Sequence, residues 1–440
     1  MARRVLVLSY YFPPSGGAGV QRVLKFVKYL PSFDWTPVVV TVREGAYPAR
    51  DASLWADVPD STEVHRTASW DAYQLYAALT GTSSEDAVVQ GSVEDQDAGW
   101  EARLRRWVRA NVFLPDARVG WVPFAVWRGR QLLANGAIDA ILTTGPPHST
   151  HLAGGLLQAL TGTPWVADFR DPWTDINYYQ ELPHTRWAKW LDAALERMVI
   201  RRAQAVTTVS PTWRDLLERK GAARPHSGNR FTVVQNGFDE CDIPATPALP
   251  STETFDLTHV GSLYASRNPT GLWRAVRRLR GQGRVPDLRL RLVGTVDPSV
   301  RAALRRHGLA DITEFVSYVP HEEAVAYMQR AGVLLLSIED FPASAGMLTG
   351  KIYEYLASGR PILGVGDAEG DAAALLRKTE GGRLFGRTDV SGIAQFIQSQ
   401  YEAWEQGLPR VGAAPGALHP YRRRSQTEQL AGLLNEVSVC

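Results

Sequence analysis

Short, largely apolar runs alternate with helical patterns along almost the whole of this chain, and that alternation restricts it to an α/β fold. Residues 5–8 (VLVL) contain no polar side chain, as expected of a strand buried on both faces of a sheet. A Pro/Gly loop follows over 12–19. Val20, Val23, Leu24, Val27 and Leu30 then recur at helical spacing before a second strand at 37–42. Strand, glycine loop, helix and strand compose one βαβ unit of a doubly wound sheet. Further strands are predicted at 140–144, 165–168 and 205–209, with helices over 150–160 and 186–203. A second series predicts strands at 231–234, 257–260, 288–293, 312–316 and 333–336, separated by helices at 269–281, 298–307, 322–331 and 350–358.

At 440 residues the chain exceeds what one core fills. The two series therefore read as two Rossmann-like domains facing a cleft, residues 1–225 and 226–440. The first is expected to carry an insertion at about 44–115, mobile where Asp, Ser, Gly and Gln dominate residues 80–99. A helical pattern at 425–437, with Leu430, Leu433 and Leu434 on one side, is expected to pack back on the N-terminal domain. Net charge of +2 gives no reason to expect nucleic acid. The two cysteines, Cys241 and Cys440, make neither a disulfide framework nor a metal site, which points to a reducing interior. No apolar run reaches ~18 residues, and residues 5–8 are too short for a signal peptide. A cytoplasmic protein is expected, at the inner face of the membrane if it binds lipid. Segment 101–113 bears on that point: Leu104, Trp107, Val108 and Val112 are interleaved with Arg103, Arg105, Arg106 and Arg109. It fits a peripheral membrane contact and equally a core helix with a solvated basic face.

Candidate chemistry lies in loops that follow strands, where open α/β sheets place ligands. Segment 349–361 (TGKIYEYLASGRP) puts Lys351 and Glu354 one helical turn apart, just after Gly350. A helix start offers free N–H groups and a positive dipole end to an anion. Thr349, Gly350 and Lys351 thus suit a phosphate, with Glu354 reaching a hydroxyl beside it; an ordinary surface Lys–Glu pair would give the same pattern. It is not a P-loop, because no Ser or Thr follows the lysine and Ala345 stands where the first glycine would be. Gly16, Gly17 and Gly19 form a glycine loop at a helix start, but a dinucleotide fingerprint needs glycine where this chain has Arg22, which disfavours a nicotinamide dehydrogenase. Loop 144–151, with His148, and loop 168–173, with Arg170 and Asp171, offer acceptor-binding or acid–base groups. The alternatives are loop hydrogen bonds, a helix cap at Ser149 and an internal Arg170–Asp171 pair. In the second half Gly261 and Ser262 follow a strand, and Arg267 is near enough to return a guanidinium, whose fixed donors suit a diphosphate. Gly294 allows close approach of a ligand, and Val319, beside Tyr318, is placed to border a base.

With these residues in view, the chain resembles the family 4 glycosyltransferases of the GT-B superfamily, of the bacterial cell-surface polysaccharide type, over nearly its whole length. Residues 11–19 (YFPPSGGAG) are similar to the family's glycine loop, 234–239 (VQNGFD) to its Asn-Gly-x-Asp segment, and 167–173 (ADFRDPW) to an Arg-Asp-x-Trp variant. Residues 349–361 match its donor motif. Three positions depart from the pattern. Gly346 stands where many members have a first glutamate, Ser262 where many have arginine, and Arg170 where many have histidine.

The resemblance implies a retaining, metal-independent hexosyltransferase with a UDP-, GDP- or other nucleotide-sugar donor and a glycan or lipid-linked acceptor, requiring no further cofactor. It implies that Asn236, Gly261, Ser262, Gly294 and Val319 border the donor, and that Glu354 bonds its ribose. Arg267 and Lys351 would neutralise the diphosphate. Gly16, Gly17 and Gly19 would bind the donor, with Gly16 and Gly17 also presented to sugar and acceptor beside His148, Arg170 and Asp171. The last three, together with Arg267 and Lys351, would be the catalytic groups. Two rivals remain: a GT-B nucleotide-sugar epimerase and a catalytically idle nucleotide-sugar scaffold.

Overall fold

The computed structural model describes residues 3–438 apart from 46, 48, 71–99, 137, 223–229, 245–250 and 409–411. The stretch 80–99 expected to be mobile, and Cys440, lie outside the described residues. The chain divides into two units, Met1–Gln235 with Arg423–Cys440, and Asn236–Arg422.

The first unit is built on a seven-stranded sheet in the order β3-β2-β1-β4-β5-β6-β7. The strands are β1 (Arg3–Leu8), β2 (Trp35–Val42), β3 (Glu63–Thr67), β4 (Ala140–Gly145), β5 (Trp165–Phe169), β6 (Ala205–Thr208) and β7 (Arg230–Val233), and every pairing is parallel. Helices cover both faces, so the central strands are apolar on both sides. Ala18–Tyr29 and Arg423–Ser438 pack on one face, where Val20, Val23 and Val27 meet Leu430, Leu434 and Val437. Val122–Ala134, Ser149–Thr161 and Arg186–Arg202 pack on the other.

Two expectations need correction. The region read as insertion contains β3, an edge strand whose sequence EVHRT is too polar to show a buried-strand pattern. The strand predicted at 231–234 does not open the second series; as β7 it pairs with β6 and closes the first sheet.

The second unit has a six-stranded parallel sheet in the order β10-β9-β8-β11-β12-β13. Its strands are β8 (Phe255–Val260), β9 (Leu288–Val293), β10 (Thr313–Val316), β11 (Val333–Ser337), β12 (Ile362–Val365) and β13 (Gly382–Phe385). Thr270–Gly281, Pro298–Arg306 and Val390–Glu405 cover one face, and His321–Arg330, Gly350–Ala357 and Asp371–Thr379 the other. Strand order reverses between β1 and β4 in one sheet and between β8 and β11 in the other. Such reversals open a crevice at the carboxyl ends of the strands, and ligands of doubly wound sheets bind there.

Candidate functional site

In the second unit, β8 and β11 pair through Val333↔Leu257 and Leu334↔Thr258 only. Beyond that point side chains take over the ladder. His259 Nδ1 lies 2.9 Å from Leu335 O. The Tyr355 hydroxyl accepts from Val260 N at 2.9 Å and donates to Val260 O at 3.3 Å. Tyr355 is fully buried, so the Gly350–Ala357 helix is wedged against the end of β8. One turn earlier on that helix, Lys351 reaches over the strand end, where its Nζ and Cε pack on Gly261 so tightly that a Cβ there would overlap them. Gly261 has φ 104° and Gly294, which directly follows β9, has φ 110°, a region that favours glycine. A Cβ on Gly294 would stand 2.9 Å from Gly261 O. Both glycines therefore let the two strand ends and the lysine come together.

Arg267 completes the group. Its carbonyl accepts from Ser337 Oγ at 2.5 Å, and its Nε lies 3.9 Å from Glu339 Oε2, a buried carboxylate at the end of β11. Burial, and then the Arg267 charge, lower the Lys351 pKa from 10.5 to about 8, although Glu354 opposes them. Burial, and then Lys351, push His259 down to about 3 and keep it neutral. Thr349 occupies the N-cap position but its side chain caps nothing, and its Oγ1 is buried without a hydrogen-bond partner among the described residues. Gly350 is exposed, and the first turn carries no acid. A helix start left open in this way, beside two cations, favours an anion.

Ser262 joins Gly261 to Leu263, whose N–H donates to Thr295 O at 2.9 Å. Val319 is partly buried after β10, and its neighbour Tyr318 is 85% exposed. The Asn236–Asp239 segment has a structural explanation of its own. Gly237 admits the Tyr421 carbonyl, Phe238 N donates to that oxygen at 3.1 Å, and Asp239 Oδ1 accepts from Cys241 N at 3.2 Å. Asn236 is buried beside it.

In the first unit the glycine loop is bound to its own chain. Gly16 N donates to Ala49 O and Asp51 N to Pro14 O, both at 2.8 Å. Gly17, with φ 91°, is the N-cap of Ala18–Tyr29. A Cβ on Gly19 would stand 2.8 Å from an Arg170 guanidinium nitrogen, so this glycine makes room for Arg170. Arg170 is paired with Asp171 at 2.9 Å, the internal pair weighed above.

Arg22 has a larger role than its place in a failed fingerprint indicates. Fully buried, it holds both Asp168 oxygens at 2.8 and 2.9 Å and donates to the carbonyls of Val234 at 2.7 Å and Gln235 at 2.9 Å. Thr144 and Thr207 hydroxyls also donate to Asp168, at 3.0 and 2.6 Å. Burial alone would raise the Asp168 pKa, but the Arg22 charge and these hydrogen bonds hold it below its ordinary value.

His148 is the N-cap of Ser149–Thr161, and Ser149 is the first residue inside the helix rather than its cap. The helix start is occupied by Asp116, which accepts from Ser149 N at 2.8 Å and Ser149 Oγ at 2.9 Å. The His148 ring lies flat on Trp173, with centroids 5.0 Å apart and planes 6° apart, and neither ring nitrogen has a hydrogen-bond partner among the described residues. Burial, then His151 and Arg170, push its pKa well below the ordinary value. His148 is therefore neutral at neutral pH, with both ring nitrogens unpaired among the described residues. Sequence reasoning missed Glu339, His259, Tyr355 and the Arg22–Asp168 pair. Only Tyr355, at helical spacing from Lys351, left a local signal. Among the described residues no three His, Cys, Asp or Glu side chains gather as a metal-holding group.

Two parallel α/β sheets, each with its cluster at the strand-order reversal, are the architecture of the GT-B class. Family models match the chain as a glycosyl transferase 4-like domain over residues 16–237 and as glycosyl transferases group 1 over 254–403, and the chain belongs to the glycosyl transferase 4-like family. Its fold is similar to that of a sucrose-phosphate synthase from Thermosynechococcus elongatus (TM-score 0.61, 14% identity, 99% of each chain). It is equally similar to Anabaena HepE in complex with UDP (0.61, 14%, 99% of this chain and 100% of the other). A putative UDP-N-acetylglucosamine 2-epimerase from Listeria monocytogenes shares the fold at 0.52 and 11% identity over 99% of this chain and 96% of the other. No curated protein sequence matches the chain.

Proposed function

We propose that this glycosyltransferase moves a hexose, with retention of configuration, from a nucleoside-diphosphate sugar to a glycan or lipid-linked acceptor without requiring a metal ion. The observation that carries the reading is the Lys351 ammonium, held partly out of water against Gly261, next to Arg267 and an uncapped helix start. As the glycosidic bond breaks, negative charge grows on the leaving diphosphate. Lys351, Arg267 and the N–H groups at Thr349 and Gly350 stabilise it in place, which is where fixed donors act most strongly. Glu354 bonds the ribose, and Gly294 and Val319 border the nucleoside. Gly16, Gly17, His148, Arg170 and Asp171 serve sugar and acceptor. The UDP complex of HepE supports a uridine donor.

A panel of uridine, guanosine, adenosine and thymidine diphosphates tests this by thermal shift, because a ligand of the folded state raises its melting temperature. One diphosphate should stabilise the chain strongly and lose that effect in Glu354→Ala. No shift with any of them at millimolar concentration would sink the reading. The likeness to an epimerase favours one second reading. Donor incubated alone would then yield an epimer.

A lipid-linked acceptor is supported by helix Trp100–Asn111, which is not a core helix: Trp100, Leu104 and Trp107 are 73%, 52% and 44% exposed. Asn111 ties it to Pro183 O at 3.0 Å and Thr185 N at 2.6 Å, just before the Arg186–Arg202 helix, whose Trp187 and Trp190 are 60% and 62% exposed. Exposed tryptophans among arginines are the side chains of a bilayer interface. None of the described helices is long and apolar enough to cross a membrane. Trp107→Ala/Trp190→Ala is expected to remove most sedimentation with phosphatidylglycerol-containing vesicles; unchanged sedimentation would refute this contact.

A further inference from the structure

A dense run of positive charge lies away from the strand-end sites. Helices Thr270–Gly281 and Pro298–Arg306 contain seven arginines and no carboxylate, in a chain whose net charge is +2. The first connects β8 to β9 and the second β9 to β10. Their C-terminal ends therefore lie at the edge of the sheet where strands begin, opposite Gly261, Gly294 and Lys351. There they border an open basin of about 380 Å³ lined by Arg277, Arg280, Gly281, His307, Gly308 and Leu309.

One of these cations is fixed as a wall. Arg280 donates to Gly308 O at 3.0 Å and grips Asp311 at 2.7 and 3.1 Å. Arg274, Arg277 and Arg306 are exposed and form no ion pair among the described residues. Arg277 lines the basin together with His307, and the charges of all three reach that ring: its pKa is lowered by burial and then by Arg277, Arg274 and Arg306. His307 Nδ1 has no hydrogen-bond partner among the described residues. Cations in the last turn of a helix offset its dipole, which accounts for Arg278, Arg280, Arg305 and Arg306. It does not account for Arg274 and Arg277. They sit before the last turn on one helix face, where like charges three residues apart weaken the helix.

We propose that this basin binds a phosphate-bearing ligand, with the phosphate oxygens taken by Arg277, whose planar donors match them, and by His307, while Arg306 adds positive charge nearby. Arg274 adds charge at the rim. The phosphate has two chemical sources, a soluble diphosphate or the headgroup of an anionic phospholipid, and separate titrations distinguish them.

The full chain carrying Lys351→Ala, so that the strand-end cation does not contribute, is titrated calorimetrically with inorganic pyrophosphate and with monomeric dihexanoyl phosphatidylglycerol. At least one should bind, and Arg274→Gln/Arg277→Gln/Arg306→Gln should weaken it by at least about tenfold, the scale of removing several surface cations. Saturable binding of pyrophosphate alone identifies a soluble ligand, and of the lipid alone a headgroup. Binding of neither, or binding that the three substitutions leave unchanged, overturns the proposal. These side chains are exposed and glutamine keeps helix propensity. Arg277→Gln alone, with a melting temperature equal to its parent, serves as the control for folding and should show a smaller loss of the same binding.

Discussion

Lys351→Met is expected to turn over ~10²-fold more slowly, the scale of losing one fixed donor to a growing negative charge, and yet to melt at a higher temperature at neutral pH. The two effects have one origin. Burial and Arg267 lower the lysine pKa from 10.5 to about 8, so the ammonium, which still predominates at neutral pH, is less favourable in the folded chain than in the unfolded one. At about 1.4 kcal/mol per tenfold change in proton affinity, keeping the ammonium charged costs the fold up to roughly 3 kcal/mol. For a lysine with a depressed pKa that cost is complete below pH 8 and fades as pH rises toward 10.5. Methionine fills the same space without the charge. The melting difference between the two proteins should therefore be largest near neutrality and shrink above pH 8. In the proposed function a bound diphosphate would supply the missing counter-charge, so its affinity for the natural chain should fall as pH rises through 8. Initial rates and melting curves across that range check all three. If Lys351→Met melts lower at neutral pH, the lysine is structural; if its rate is unchanged, the assignment fails.

Arg22→Met is expected to destabilise the first unit by about 3–5 kcal/mol, the range for removing one partner of a buried ion pair. Asp168 would be left charged and enclosed, with two hydroxyl donors, Thr144 and Thr207, in place of a guanidinium. The carbonyls of Val234 and Gln235 would lose their donor as well. Removing both charges, as Arg22→Met/Asp168→Leu, should recover much of the loss, because an apolar pair needs no counter-charge. Denaturant titration of the three proteins measures the difference. A loss below about 1 kcal/mol for the single substitution would mean that water or a neighbouring group replaces the arginine.

The fold was legible where burial on both faces leaves a run without polar residues, as at 5–8 in β1, 38–40 in β2 and 333–336 in β11. It was less legible elsewhere: the edge strands β7 and β10 were predicted but β3 and β13 were not, and the short buried β12, ILGV, was missed as well. β3 reads EVHRT and β13 reads GRLF, because an edge strand keeps one side toward solvent. Nor does the composition of 230–233 say which sheet that strand joins; pairing with β6 decides it, and that partner is a long-range choice. The site divides in the same way. Gly261, Gly294 and Lys351 could be found because a glycine at a strand end and a cation at a helix start each carry a local requirement. Their neighbours could not. Glu339 meets Arg267 from another strand, and Asp168 meets Arg22 across 146 residues. The glycines of the Asn-Gly-x-Asp segment and of the first loop had a different lesson. Gly237 and Gly19 are required by a passing carbonyl and a guanidinium of this same chain, and a ligand's backbone glycine would look identical in sequence.

The helix Arg423–Ser438 supplies Leu430, Ala431, Leu433, Leu434 and Val437 to the core of a unit whose other members begin at Val5, and its Asn435 accepts from Trp35 Nε1 at 3.1 Å. A nascent chain leaves the ribosome from its N-terminus, and domains generally fold as they emerge. Here the earliest strands must wait, with the apolar flank of Ala18–Tyr29 uncovered, while the contiguous stretch Asn236–Arg422 is made and closes around its own core. The portion synthesised first is thus the last to finish folding. Through that interval its unsealed flank is the surface on which a chaperone would act or aggregation would begin.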